Sequence, residues 1–549
     1  MLTNRTLKMV RPLLRAMSGP GRALAAAVLV IMLLSACLPP SPAGPTVSPV
    51  LVTPSSTPPP FLTSTPRPTP VPKFIYYVDA RLGSDANMGT QDQPWQTIQK
   101  AVNTLTAGDM VYVRGGQYDG IDYVGWFFTN SGTQSQPITL SNYPGEQVVF
   151  KIGTSSSSGS YIFKCFIDPH DPPSWRTPKA DYIHIIGTDV TPRLLSNGVE
   201  SKKGIVIQGM VGEQASGISA SDCDYWEVAG VDFIETANGI FTYKNNWGTM
   251  EEHSPDYWYV HNNRVYNYYR ESGMQFNGDN NRIENNEIYK VSNELYTPYG
   301  CQLLNINGDH NVIKGNVLSR MGSTANCMGI LLEWDMADMN IVERNLVSDV
   351  PSGIGIQGGD NNIIRNNILI SSIFTYQYRS GIEIMSYDNT VKTDWPCDET
   401  LGTAQALLPA NNPAHPDYQY YYNPRNCRST GNQIYNNTIH GFVEGIRIYS
   451  LVGENTTIRN NVFSGWTRGG ICFYHDLGFC LPLPAEVTAS NNAAQDFEFV
   501  DILHFDFHLT ANSPLIDVGY NLGPLNPDDF DGNVRPQGAG YDIGAYEYE

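Results

Sequence analysis

The chain has 549 residues, a formal net charge of −20 and a sequence that is 41% hydrophobic and only 16% charged. That length exceeds one average domain, although a repetitive fold can absorb it in a single unit. The acidic balance excludes wholesale phosphate binding, which depends on clustered Lys and Arg, so nucleic acid is set aside as a partner.

Residues 1–36 carry Arg5, Lys8, Arg11, Arg15 and Arg22 with no acidic residue, and end in the apolar run 23–34. A run this short reads as an export signal, because a membrane span needs about 20 apolar residues. Leu34-Ser35-Ala36-Cys37 resembles a bacterial lipobox. That resemblance implies cleavage before Cys37, lipidation of Cys37 and residence on the extracellular face of a bacterial membrane, held by the lipid anchor alone. From 37 to 73 the chain is rich in Pro, Thr and Ser and cannot bury enough apolar surface to fold. As an extended tether of about 3.1 Å per residue it would reach on the order of 100 Å.

The folded part is expected from about Phe74. Aligned on Asn-x-x-Ile/Val-x-x-Asn, the second Asn falls at Asn263, Asn286, Asn316, Asn345, Asn367, Asn437 and Asn461. The spacing is 22 to 30 residues, apart from one gap of 70. In step with it, Gly217, Gly239, Gly273, Gly300, Gly329, Gly353, Gly381, Gly445 and Gly470 each open a run of alternating apolar residues. Short alternating strands at this period, with no amphipathic helix between them, predict a solenoid. Asn suits a sharp corner in the left-handed backbone region, and its amide can bond to the Asn of the coils above and below. These asparagines are read as structural.

Asn and Ile so placed resemble the right-handed parallel β-helix proteins of the pectate-lyase-like superfamily. At the start, Tyr77-Val78-Asp79, Gly83-Ser84-Asp85 and Thr97-Ile98-Gln99-Lys100-Ala101 are similar to the opening of secreted bacterial members. At the other end, Asp531-Gly532-Asn533, Arg535-Pro536 and 542–547 are similar to a shared closing segment. The resemblance implies an all-β, single-stranded right-handed parallel β-helix, with a short capping helix at 98–105 that Thr97 caps in turn. The expected layout is a cap and opening segment at 74–160, coils at 161–495 with an insertion at about 386–430, and a closing segment at 496–549.

Eight cysteines follow Cys37. Cys397 with Cys427, bracketing the insertion, and Cys472 with Cys480, bracketing a short loop, are the expected disulfides, whereas Cys301 reads as a buried thiol.

On a Gly-led strand the second and fourth residues after Gly point out of the coil. That rule gathers Gln275, Gln302, Glu333, Gln357, Glu383, Arg447, Tyr449 and Tyr474 into one outward stripe, the candidate site. Glu333, Glu383, Arg447, Asp335 and Arg379 are the catalytic candidates. Gln357, Tyr449, Tyr474, Gln275 and Trp334 are the sugar-contacting ones, since flat aromatic faces stack on sugars. Asp335 and Asp338 offer oxygen ligands for calcium, and no organic cofactor is expected. A lyase needs a base alpha to a uronate carboxylate and a group to neutralise that carboxylate; Arg447, Arg379, Arg270 and Lys244 are the cationic options. Asp168-Pro169-His170-Asp171 is similar to the signature of alginate C5-epimerases. The expected protein is a monomeric, cell-surface polysaccharide binder that cleaves its ligand as a lyase or a glycosidase. A non-catalytic carbohydrate-binding or structural β-helix, and a uronan epimerase, stand as alternatives.

Overall fold

The computed structural model describes residues 71–548 other than 121–124, 152–160, 167–175, 210–214, 244–253, 296–299, 334–336, 372–379, 386–428, 450–453, 466–467, 476–478, 496 and 498. Of the two units into which the chain divides, Met1–Pro68 and Thr69–Glu549, the second holds every described residue. Cys37, Lys244, Trp334, Asp335, Arg379, Cys397 and Cys427 lie outside the described residues, as do the 168–171 motif and the side chain of Tyr474.

The chain winds through three sheets in turn. One coil runs through Ile341–Glu343 in sheet A, Leu346–Ser348 in sheet B and Ser352–Gln357 in sheet C. Each strand then pairs in parallel with its counterpart a coil away. Among the described residues sheets A, B and C hold 13, 12 and 11 strands, and only the last strand of sheet C, Phe479–Leu481, runs antiparallel. The first strands of sheets A and B, Phe74–Val78 and Gly116–Asp119, already lie within the expected opening segment. The α-helix Ile98–Thr104 begins at Thr97, whose hydroxyl accepts the Lys100 N–H, and it buries Ile98, Ala101 and Val102 in the same core as the coils.

Alternation fills the interior. Ile330, Ile354, Ile382 and Ile446 of sheet C stack in register and are fully buried. The opening glycines are required by close packing against sheet B. A Cβ at Gly445 would lie 2.2 Å from Phe463, and one at Gly381 2.3 Å from Ile439. Gly300 departs from this pattern. It precedes the strand Gln302–Ile306 with φ of 106°, and Leu304 and Asn305 align with Met274 and Gln275, so Asn305 is the outward partner of Gln275.

At the corner between sheets A and B the repeated Asn forms the expected ladder. The Oδ1 of Asn316 accepts both the backbone N–H of Asn286 at 2.9 Å and its side-chain amide at 3.0 Å. The same bonds recur from Asn263 to Asn492. The left-handed residue is the one before the ladder Asn: Asn262, Asn285, Arg344, Asn366, Asn436 and Asn460 have φ of 51–57°. Two neighbouring residues thus divide the corner, one supplying the bend and the other the bonds. A second ladder, Asn281, Asn311, Asn340, Asn362 and Asn432, runs along the corner between sheets C and A. Beside it stands a column of aspartates. Asp256, Asp279, Asp309, Asp338 and Asp360 each pass their backbone N–H to the carboxylate of the Asp one coil before, and Asp338, expected as a calcium ligand, is one rung of it.

Disulfides join Cys165 to Cys223, Cys301 to Cys327 and Cys472 to Cys480. Cys301 is therefore no free thiol: it links its coil to the next one. The closing segment folds back over sheet B, where Phe499, Phe507, Leu509, Ile543 and Tyr546 pack on Ile368, Ile370 and Val462. In its Asp-rich turn the Asp529 carboxylate accepts the N–H groups of Gly532 and Asn533, Asp528 pairs with Arg344, and Asp531 bonds His508.

Replacing Asn316 with Leu keeps the volume but strands two buried donors of Asn286. The expected loss is about 2–4 kcal/mol, read from the denaturant midpoint at unchanged slope.

Candidate functional site

The outward side chains of sheet C form rows across the coils. One row runs Lys164, Ser219, Phe241, Gln275, Asn305, Leu331, Gly355, Glu383, Arg447 and Cys472, each in register with the next. A neighbouring row places Glu333 beside Gln357 and Gln357 beside Met385, with Tyr449 beside Tyr474 further on. Glu333, Glu383, Arg447, Gln357, Gln275 and Tyr449 are thus brought to one face. Asp338 stands apart, on the aspartate column.

Outward does not mean exposed. Glu383, Arg447, Gln275 and Gln357 are buried, while Glu333 and Tyr449 are half-buried. Parity fixes which side of the coil a residue leaves from, and this face carries a second layer of polar packing.

At the C-terminal part of the face, charge is arranged as a chain. The Arg447 Nε donates to the Glu444 carboxylate, whose other oxygen takes Nη1 of Arg468 at 3.1 Å. Nη1 of Arg447 lies 3.7 Å from Glu383 and donates to the Tyr449 hydroxyl at 3.2 Å. Burial pushes the Glu383 carboxyl above the usual range, and the Arg447 charge only partly offsets that. Burial works against the Arg447 proton, yet Glu383, Tyr449 and Glu444 together raise its pKa, so it stays a cation. Glu383 is thus suited to hold a proton, and Arg447 to hold charge.

Glu333 and Glu383 lie two strand steps apart, about 10 Å, and two residues out of register, about 7 Å. Glu333 accepts the Asn305 amide at 2.8 Å from the preceding strand, while Glu383 bonds Ser352 on the strand before it and faces Arg447 on the strand after it. Ser380 joins Glu383 to Glu444, which makes these two the near carboxyl pair of the face, with Arg447 against both.

At the N-terminal part the face is aromatic. Tyr161 and Phe166 pack at 5.2 Å, Phe166 and Tyr243 at 5.7 Å, and Phe241 and Tyr243 edge-on at 4.5 Å. Arg270 lies 5.7 Å over the Phe241 ring. Lys164 sits in this neighbourhood, between Phe163 and Cys165, both of which point into the core. The strand Tyr161–Phe166 opens without a repeat glycine, so the Gly-led rule passed over it; alternation from Phe163 would have found Lys164. Glu444 was missed because it stands one residue before Gly445, outside the window of the rule. Glu444, Cys472 and Cys480 also converge within 4.8 Å. Both sulfurs are spent in the disulfide, which removes the thiolates a metal would need.

Residues 76–316 match the family described as Pel9A-like, right handed beta helix region, which agrees with the right-handed coil that the resemblance implies. A 67-residue stretch is 46% identical to Pectate lyase PEL9 of Emericella nidulans (strain FGSC A4), covering 12% of this chain and 16% of that protein. An 80-residue stretch is 38% identical to Uncharacterized protein YwoF of Bacillus subtilis (strain 168), covering 14% of this chain and 16% of that one. The chain thus spans about 16% of the length of the curated relatives it matches. Among solved structures, pectate lyase Pel9A aligns over 87% of this chain and 98% of its own with 14% identity and a TM-score of 0.44.

Glu444→Gln, which removes the carboxylate between two arginines, is expected to cost about 3–5 kcal/mol in chemical unfolding. Glu333→Gln, at a half-buried site with a neutral partner, is expected to cost less than about 1 kcal/mol.

Proposed function

We propose that this chain is an exported polysaccharide lyase that lays an acidic glycan across the outer face of sheet C and cleaves it by β-elimination. The observation that carries this reading is the placement of the carboxyl groups on that face. Hydrolysis needs two available carboxyl groups roughly 5 to 9.5 Å apart across one glycosidic bond, whereas the strand positions of Glu333 and Glu383 are about 12 Å apart and the close pair, Glu383 and Glu444, is buried and engaged by Arg447 and Ser380. Elimination asks instead for one base and a cationic neighbour for the uronate carboxylate. The face offers Lys164, itself buried, with Phe241 two strand steps along the row, Arg270 over that ring and the half-buried Tyr243 beside it; Arg447, eight strand steps or about 38 Å along the same row, stands at a different sugar. An amine can exchange a proton far more readily than a guanidinium, so Lys164 is the better base and Arg270 the nearer cationic clamp. The matched family region and the relative called a pectate lyase support the same chemistry and favour a galacturonate-type substrate. Lipidation at Cys37 would hold the enzyme at the extracellular surface, where such polymers are met.

A second reading is a glycan-binding surface without turnover. The charge chain of Glu383, Arg447, Glu444 and Arg468 favours it, because those charges largely satisfy one another.

Polygalacturonate, alginate, xylan and mannan, each with and without a chelator, separate these readings. Elimination yields an unsaturated product that absorbs in the ultraviolet, and Lys164→Ala is expected to slow its appearance at least about 100-fold. New reducing ends without that absorbance would show hydrolysis. Retardation on a glycan gel with neither product would show a binder. For location, Cys37→Ser is expected to move the protein from the membrane fraction to the medium.

A further inference from the structure

The closing segment carries a charge arrangement that the glycan-binding face does not use. His508 lies in the strand Asp506–Leu509, which pairs antiparallel with Phe499–Asp501 over sheet B. Its Nδ1 lies 2.5 Å from Oδ1 of Asp506, and its Nε2 lies 2.8 Å from Oδ2 of Asp531. Asp531 belongs to a different piece of chain, the turn 528–533, which Asp529 organises by accepting the N–H groups of Gly532 at 2.8 Å and Asn533 at 2.7 Å. The imidazole is therefore a bridge between a strand and a turn 23 residues further on.

Elementary valence fixes the state of that bridge. An ionised carboxylate only accepts hydrogen bonds, and a neutral imidazole has one N–H and one lone pair. Two carboxylates on the two ring nitrogens are satisfied together only by the imidazolium. Loss of its proton would aim a nitrogen lone pair at a carboxylate oxygen and leave two aspartates facing one ring without a cation.

We propose that His508 is a proton-operated latch: as the imidazolium it adds a tie between the turn 528–533 and the strand Asp506–Leu509 to those that Arg344, Asn366 and Arg535 make at Asp528, and its deprotonation loosens the far side of the turn at 531–533.

Among the described residues one further cation, Arg344, lies against the turn at Gly532, and Asp528 holds it. Tyr546 covers the ring at 3.9 Å, and burial, aided by the neighbouring aspartates, holds its hydroxyl in the neutral form. Asp528 is paired with Arg344 and Asp529 with backbone amides. From sheet B, His440 faces Phe507 at 5.6 Å and bonds Ser464. His504 bonds Asp501 through Nδ1, an arrangement that a neutral tautomer satisfies. Half-burial of His508 works against its charge, but the bonds to Asp531 and Asp506 outweigh this and raise its pKa. The sign follows. A histidine whose folded-state pKa is raised stabilises fully below its free value of about 6.5, and the contribution disappears as pH rises through the folded value. The latch is closed in acid and opens on the alkaline side.

The test is hydrogen exchange on the full chain between about pH 5.5 and 8.5, with the intrinsic base-catalysed rate divided out. Protection of the Gly532 and Asn533 amides is expected to fall about tenfold as pH rises, and to show no step in His508→Gln. Because His508 is only half-buried, that variant should fold, which circular dichroism checks. In Asp531→Asn the ring loses one anionic partner, and the step is expected to move to lower pH. Flat protection in the wild-type chain, an equal step in His508→Gln, or an unmoved step in Asp531→Asn would each overturn the latch.

Discussion

The structure depends on how a chain turns a corner inside a cylinder where water cannot follow. A bend into the left-handed backbone region leaves the next N–H pointing along the solenoid axis, and a buried N–H without an acceptor is costly. Asn316 and its counterparts resolve this by placing a side-chain oxygen under the N–H of the coil before, while their own N–H groups lean on the coil after. The bond runs between coils and is identical at each step, so it holds the corners in one column and the three sheets in register. Inward Ile and Val can then stack at the same depth in coil after coil, and sheet C can press its glycines directly onto sheet B.

Register at the corners also determines what sheet C can present. Side chains on its outer face come in rows about 4.8 Å apart, with no freedom to converge except by leaning. Glu383, Arg447, Glu444 and Arg468 lean together and form a neutralised chain; Glu333 leans the other way, to Asn305. A cylinder that imposes even spacing makes it easy to build a long track of spaced polar and aromatic groups. A polymer of repeating sugars is a ligand that can use such a track.

The repeat was the most legible part of the sequence, because a ladder must use the same residue at every rung. Asn263 to Asn461 and the glycines at 329, 353, 381 and 445 could be read directly, and inward and outward sides followed from them. Less could be read where the repeat is broken by substitution. Leu303 stands where other coils carry Gly, so Gly300 shifts the alignment by three residues, and counting parity from Gly300 makes Cys301 read as a buried thiol although it pairs with Cys327 of the next coil. Burial of the outward stripe was not legible at all, since parity says nothing about what lies above the sheet. Nor was the return of the closing segment over sheet B, which is set by contacts between residues more than a hundred positions apart, such as Asn436 with Gly544.

One step of the ladder differs from the rest in sequence but not in geometry. Asn367 bonds Asn437 across 70 residues with the same 2.9 Å amide contact that Asn345 and Asn316 make across 29. The rung thus takes no notice of how much chain is looped out between its two ends, and closing a longer loop costs only slowly more entropy. Such a scaffold can accept or discard whole excursions between sheets C and A while the A-to-B corner stays constant, so new recognition surfaces can be grafted there without any redesign of the core.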